Sequence, residues 1–330
     1  MILSTWILGS CRGRLRGKLT IAVFVLVLLS RTVSFSQDSG DAGTVQVLPV
    51  QGDVYLATSR ASNAVLSVGK NGVLVIDTMT QDLAGELVAQ IHKLAPDKPI
   101  VYIVNTHFHA DHTGGNQIVA AAGPKGGVGN APGAFIFAHW GVLSRMTAGN
   151  LPSAVWPHET FLTPSKELYF NNEAVQILHQ PNAHTDGDAL VFFRKSDVIA
   201  AGDVYNNTSF PVIQVDQGGS LNGSIAALNR IIEIAVPEDG QEGGTQVIPG
   251  HGRVADEADV VEYRDMATIL RDRMKDAIVG GLTLEQAKAA HLTLDYDGRY
   301  GKGTGPGNTN GFLEAAYRSL KMGLQTNIPK

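Results

Sequence analysis

Cysteine is almost absent from this sequence. The single one in 330 residues, Cys11, stands before the first apolar run. The rest of the chain therefore has no disulfide and no thiolate to bind a metal or act as a nucleophile. Charge is sparse as well, with 17% charged residues and a formal net charge of −5. That balance excludes the basic footprint of a nucleic-acid binder and the polybasic segment of an anionic-lipid binder. Long apolar runs are also missing, with one exception near the N-terminus. "LTIAVFVLVLLS" follows Arg12, Arg14, Arg16 and Lys18, and leads into "RTVSFSQ". Ser34 and Ser36 precede Gln37 at the spacing of a small-residue cleavage site, so residues 1–36 read as a secretory signal peptide cut near Ser36/Gln37. The run is short for a bilayer span, which leaves an uncleaved anchor as the alternative. The mature protein is expected to be periplasmic or secreted, without stable membrane insertion. No adjacent Arg-Arg pair marks twin-arginine export, and Cys11 lies on the wrong side of the apolar core for a lipoprotein cysteine.

The remaining length and the 44% hydrophobic content suit one α/β domain with additions. After a small, polar stretch to Thr44 come four strand-like runs, "VQVLPV", "DVYLATS", "NAVLSVG" and "GVLVIDT". The last two are joined by "KN" and form a hairpin from Asn63 to Thr78. "DLAGELVAQIHKLA" has helical spacing and stops at Pro96, and "PIVYIVNTH" is a β-branched run suited to a buried strand. The second half repeats this order: a hairpin about Asn171-Asn172, two strands in "DALVFFRKSDVIAAGD", a helix capped by Ser220, and the strand "TQVIPGHG". Each half thus carries a hairpin ending in an acid (Asp77, Asp203), then a helix, then a strand ending in His (His107, His251). Two packed sheets with helices outside would bury both apolar sets. From Ala255 onward the chain is helical in pattern, with the Gly-rich "DGRYGKGTGPGNTNG" as a loop before the last helix. We expect a catalytic domain over 45–254 and a helical C-terminal extension over 255–330 packed on it.

The chemistry concentrates in "NTHFHADHTGGN", three histidines and an aspartate within six residues. At a strand end, residues two apart point the same way, so His107 and His109 can share one ion. The chain then turns, and Asp111 and His112 leave toward a second. Five of the ten histidines lie in this cluster or in "HTDGD" (His184) and "GHG" (His251), both flanked by small residues. Imidazoles and carboxylates without thiolates suit zinc, with iron or manganese as alternatives.

"THFHADH", His184 in "HTDGD", Asp203 in "AGDVY" and His251 in "PGHG" together resemble the metallo-β-lactamase-fold hydrolases, from about Val45 to Gly252. The resemblance implies a four-layer αββα sandwich with two metals at one edge between the sheets. It implies His107, His109 and His184 on the first metal, Asp111, His112 and His251 on the second, and Asp203 bridging both. Asp203 stands where some lactamases of this family place a cysteine, which points to the glyoxalase II-like and general hydrolase branches. His109, where oxygen-reducing di-iron relatives usually carry Glu, favours hydrolysis over redox chemistry.

The expected reaction uses a hydroxide shared by two cations about 3.5–4 Å apart to attack an ester, thioester, lactone or amide bond of a small molecule, with a β-lactam among the candidate amides. Asp111 is the candidate to orient the nucleophile and relay its proton, and Asp77 to orient a ligand histidine or cap the following turn. Tyr205 and Asn206 are candidates for second-shell or substrate contact, and Asn207 is grouped with them. Thr185 and Asp186 either support the ligands or shape their turn. Trp140, Trp156 and Phe161 are candidates for an apolar substrate wall or for core anchors. "GPKGGVGN" (123–130) lacks the Lys and Ser/Thr of a phosphate loop and reads as a mobile loop near the site mouth. His92, His139, His158, His179 and His291 show no ligand pattern. The other functional classes are a phosphodiesterase or nuclease, and a metal-binding protein without turnover. Nothing in the sequence bears on oligomeric state.

Overall fold

Alternation along the strands sorts the apolar side chains onto two faces, and each face meets a different layer. In the computed structural model, which describes residues 44–326, the first half contains β1 (Gln46–Gln51), β2 (Val54–Thr58), β3 (Asn63–Gly69) and β4 (Gly72–Ile76). Then follow α1 (Ala84–Leu94), β5 (Ile100–Asn105), the short α2 (Ala110–Thr113) and α3 (Asn116–Ala121), β6 (Phe135–His139), α4 (Trp140–Ala148) and β7 (Glu159–Phe161). These seven strands form one sheet in sequence order, antiparallel from β1 to β4 and parallel from β4 to β7.

The second sheet has the order β12-β11-β10-β9-β8. It is built from β8 (Ser165–Phe170), β9 (Glu173–His179), β10 (Ala189–Phe193), β11 (Val198–Asn206) and β12 (Gln246–His251). Between the last two runs α5 (Leu221–Ile234), so β11 and β12 pair in parallel across a helix, as β4 and β5 do across α1. The two halves therefore each contain a β-α-β crossover that ends beside the histidines. Four further helices follow: α6 (Glu257–Val279), α7 (Leu284–Ala289), α8 (Leu294–Tyr300) and α9 (Thr309–Thr326).

Three apolar clusters define the layers. Leu74 and Ile76 of β4 point inward to Val175, Ile177, Val191 and Ile248 of the facing sheet, while Val73 and Val75 point outward to Leu87 and Ile91 of α1. On β11, Val198 and Ala200 face the first sheet, whereas Ile199 and Ala201 face Leu228 of α5, Met266 of α6 and Phe312 of α9. The period-two pattern thus yields helix, sheet, sheet and helix, the expected four-layer sandwich. The C-terminal helices belong to the outer layer of the second sheet through the same cluster. Ser220 caps α5 by accepting from Gly223 N, as the sequence suggests.

Three sequence expectations change here. Asp203 lies within β11 rather than at its end, because Gly202 (φ +50°) breaks the register against β12 and the strand resumes to Asn206. The helix α8 takes the first residues of the stretch read as a Gly-rich loop, leaving 301–308 as the connection to α9. The loop 123–130 is not near the site mouth. Gly123 abuts the carbonyl of Ile100, at the start of β5, whereas His107 follows the far end of that strand, about 17 Å away at strand rise. Residues 1–36, with the expected signal peptide, lie outside the described residues. Among those described, no helix is long and apolar enough to cross a membrane.

Candidate metal centre

The strand β5 ends at Asn105 and delivers Thr106 and His107 to the sandwich edge. His109 is extended and opens the turn of α2, which carries Asp111 and His112. From the other sheet come His184 before β10, Asp203 on the bulged β11 and His251 at the end of β12. Two groups result, His107–His109–His184–Asp203 and Asp111–His112–His251, each with its ligand atoms within 4.8 Å of one another. The structure brings all seven residues together.

The first group turns His107 Nε2, His109 Nδ1 and His184 Nε2 toward a common point. His109 Nδ1 lies 3.1 Å from His107 Nε2 and 3.0 Å from His184 Nε2. The other nitrogen of each ring is committed elsewhere. His107 Nδ1 lies 3.1 Å from Thr106 Oγ1, His109 Nε2 lies 2.8 Å from Gln217 Oε1, and His184 Nδ1 lies 2.7 Å from the Val212 carbonyl. Those outer acceptors leave the inner nitrogens of His109 and His184 as lone-pair donors, which suits a cation. In the second group His112 Nδ1 is 2.8 Å from Asp77 Oδ2, and His112 Nε2 faces Asp203 Oδ1 at 3.2 Å. His251 Nε2 is 3.3 Å from both Asp111 Oδ2 and Asp203 Oδ1. Asp203 therefore spans the groups, Oδ2 toward His107 and His184 (3.8 and 3.7 Å) and Oδ1 toward His112 and His251.

A divalent metal fits this donor set. His112 Nε2 and Asp203 Oδ1 are buried and satisfy no hydrogen bond among the described residues, because their approach is misaligned. A bare pair of this kind is costly unless a cation completes it. The backbone is shaped for the approach: a Cβ on Gly250 would meet Asp203 Oδ1 at 2.0 Å, and one on Gly219 would meet the His184 carbonyl at 2.1 Å.

The electrostatics follow from burial and mutual pairing. Burial, with His112 alongside, holds His107 well below its ordinary value. Burial also opposes protonation of His112, but the Asp203 and Asp77 carboxylates outweigh it and push the group well up. His251 is likewise raised to about 9 against burial, by the Asp111 and Asp203 carboxylates that face it. Burial would raise the Asp203 and Asp111 carboxyls, yet the facing histidines keep both below the usual range.

The remaining expected residues separate clearly. Asp77, in the left-handed region (φ 62°), accepts from Thr106 N and Thr106 Oγ1 as well as facing His112, so it ties the cluster to β5. Asn206 lines the site cavity and accepts from Thr208 N and Oγ1. Tyr205 does not reach the site. Its ring is buried in the outer cluster, edge-on to Tyr263, and Val204 beside it joins the same cluster, because the register shift at Gly202 interrupts the strand's alternation. Asn207 donates to the Arg253 carbonyl. Thr185 donates to the buried Asp188, and Asp186 pairs with Arg145 at 2.5 Å, so both shape the His184 turn. Phe161 belongs to the inter-sheet core, Trp156 packs with Phe108 and Leu151, and Trp140 is exposed. None of the three lines the cavity. Gln217 and the Val212 carbonyl were not singled out from sequence, because "FPVIQVDQGG" has no ligand spacing and reaches the histidines only through a 3-10 turn at Val215–Gln217.

Residues 57–252 match the metallo-beta-lactamase superfamily. The chain belongs to that superfamily. The type 2 metallo-beta-lactamase of Bacillus cereus is 22% identical over 277 residues, covering 78% of this chain and 96% of that protein. Among solved structures, the metallo-beta-lactamase from Pontibacter korlensis superposes with a TM-score of 0.56 at 17% identity, over 68% of this chain and 99% of its own. The stereoselective inverting sec-alkylsulfatase Pisa1 from Pseudomonas sp. gives 0.64 at 16% identity over 87% of this chain. This chain spans 52% of the alkylsulfatase. The superfamily member described here is a hydrolase with a His/Asp centre for divalent metal.

Proposed function

We propose that this chain is an exported hydrolase holding two zinc ions, which cleaves an ester, thioester, lactone or amide bond of a small molecule. The observation that carries the reading is Asp203, whose two oxygens face the two histidine groups, Oδ2 toward His107 and His184 and Oδ1 toward His112 and His251. His107, His109 and His184 would hold one ion, Asp111, His112 and His251 the other, with Asp203 between them. Bound zinc supplies Lewis acidity and a water acidic enough to serve as nucleophile at neutral pH. Asp111, the most exposed acid of the centre and kept ionised by its histidine neighbours, takes a proton at the cavity floor and returns it to the leaving group. Zinc is favoured over iron or manganese by the imidazole-rich, thiolate-free donor set. Export rests on the N-terminal sequence pattern alone.

Metal analysis of the purified protein should return two equivalents of zinc. A chromogenic panel of lactam, lactone, thioester, ester, sulfate-ester and phosphodiester substrates should then assign the bond. Asp203→Asn is expected to lower bound zinc toward one equivalent and turnover by about 100-fold or more, far beyond His158→Gln or His179→Gln. A metal-free protein would sink the centre. Two ions without turnover would make it a binding protein, and turnover of phosphodiesters alone would make it a nuclease-type enzyme.

A further inference from the structure

We infer that Arg60 is the residue that selects the substrate, by pairing with an oxyanion the substrate carries. The inference deepens the hydrolase reading and rests on it. The two histidine groups form the floor of a cavity of about 400 Å³. Above them the wall is polar, with Thr208 and Gln214, and only Val212 and Pro306 offer apolar side chains. Arg60 is the one lysine or arginine among the described lining residues.

Its isolation is what points to a ligand. Eight of the ten described arginines pair with a carboxylate. Arg60 pairs with none, and of the two left over it is the one on the cavity. Its position is not left to a free loop. Ser59 Oγ accepts from the Ala61 and Ser62 amides and donates to the Ser62 carbonyl, closing a tight turn around Arg60. Ser62 Oγ then donates to the Asp111 carbonyl at 2.5 Å. Asn63 Nδ2 donates to the carbonyls of Pro249 and Gly252, on either side of His251. The connection from β2 to β3 is thus stitched to both sheets at the centre, and it presents a guanidinium fork beside the metal-binding residues. A planar fork with no internal acceptor matches a carboxylate or a sulfate, each of which offers two coplanar oxygens.

The oxyanion has two possible places on the substrate: a carboxylate beside the scissile ester or amide, or the sulfate of a sulfate ester. Kinetics of zinc-loaded wild type, Arg60→Gln and Arg60→Lys on 4-nitrophenyl butyrate, mono-4-nitrophenyl glutarate and 4-nitrophenyl sulfate separate them. Arg60→Gln is expected to lower kcat/KM on an anionic substrate at least about tenfold more than on the neutral butyrate. Arg60→Lys should recover part of that loss, since the charge remains while the fork is gone. A selective loss on the glutarate ester places the anion beside the bond, and one on the sulfate places it at the bond. Equal losses on neutral and anionic substrates would overturn the assignment. Titration of the zinc-loaded protein with glutarate gives a readout independent of turnover, with binding about tenfold weaker in Arg60→Gln. Unchanged glutarate affinity refutes Arg60 even if every ester is cleaved. Absence of all turnover in wild type refutes the hydrolase reading while the titration still decides on Arg60.

Discussion

His107, His109, His112 and His184 each turn one nitrogen to the centre and spend the other on a neighbour. The partners differ in how the sequence supplies them. Thr106 is adjacent to His107, and Asp77 closes the neighbouring strand, so both fall within a motif-sized view. Gln217 is separated from His109 by 108 residues and reaches it only in space. Gln217→Leu keeps the side-chain bulk and removes the acceptor, leaving the His109 ring free to rotate. Zinc affinity, read by competition with a chromophoric chelator, should fall about 10- to 100-fold, and turnover should fall with it. Gln217→Glu, which retains an acceptor, should lose much less. Equal affinity in Gln217→Leu and wild type would show that packing alone orients the ring.

At the scale of elements, the edge that holds the centre is also held by a second pair of histidines. His139 ends β6 in one sheet, His179 ends β9 in the other, and their rings stack at 3.5 Å. His139 also caps α4, its Nδ1 accepting from Gly141 N. Neither histidine has a ligand-like neighbour in the sequence, so no local pattern marks the pair. Burial, with His179 against it, lowers His139 from 6.5 to about 4. The unfolded chain therefore binds this proton more readily than the folded one. The stability contributed by neutral His139 is complete above about pH 6.5 and is lost as the pH falls toward 4. The buried Asp188, raised by burial to about 6, acts in the opposite sense, its contribution fading as the pH rises through that value. Changing His139 alone isolates its share. His139→Asn preserves an acceptor for the cap, and between pH 7 and 5 it should lose about 1–2 kcal/mol less than wild type in urea denaturation at matched metal loading. A parallel decline in both proteins would remove the stack from the account of acid sensitivity.

Across the whole molecule, the C-terminal helices bear on the site through the outer core. Phe312 of α9 is fully buried and stacks on Phe210 at 5.0 Å, and Phe210 lies two residues before Val212, whose carbonyl holds His184. The Phe210 amide donates to the carbonyls of Tyr300 and Gly307, so the connection from α8 to α9 braces the same segment. Pro306 from that connection forms part of the cavity wall. Phe312→Ala should cost about 3–5 kcal/mol of unfolding free energy, the usual cost of deleting a buried aromatic. It should also weaken zinc binding, since the Val212 segment loses its support. Destabilisation with unchanged zinc affinity would separate the helical layer from the centre.

The chain order of the elements was legible because burial imposes its period on each segment locally. Strands such as Gly72–Ile76 and Val198–Ala201 are apolar on both faces, as central strands between two layers must be. The seven candidate ligands were legible for a related reason: six sit in short motifs whose spacing is a local property of a strand end and turn. Asp203 was identified as an acid near a strand end, yet its reach to both groups depends on the Gly202 bulge, which pairing with β12 creates. The tertiary structure alone decided which side of β11 Tyr205 would occupy, which carbonyl and amide would fix the outer nitrogens, and which arginine would be left without a carboxylate. Those outcomes are contacts between segments far apart in the chain. They are settled by how two sheets and two helical layers close on one another, and no local pattern encodes that closure.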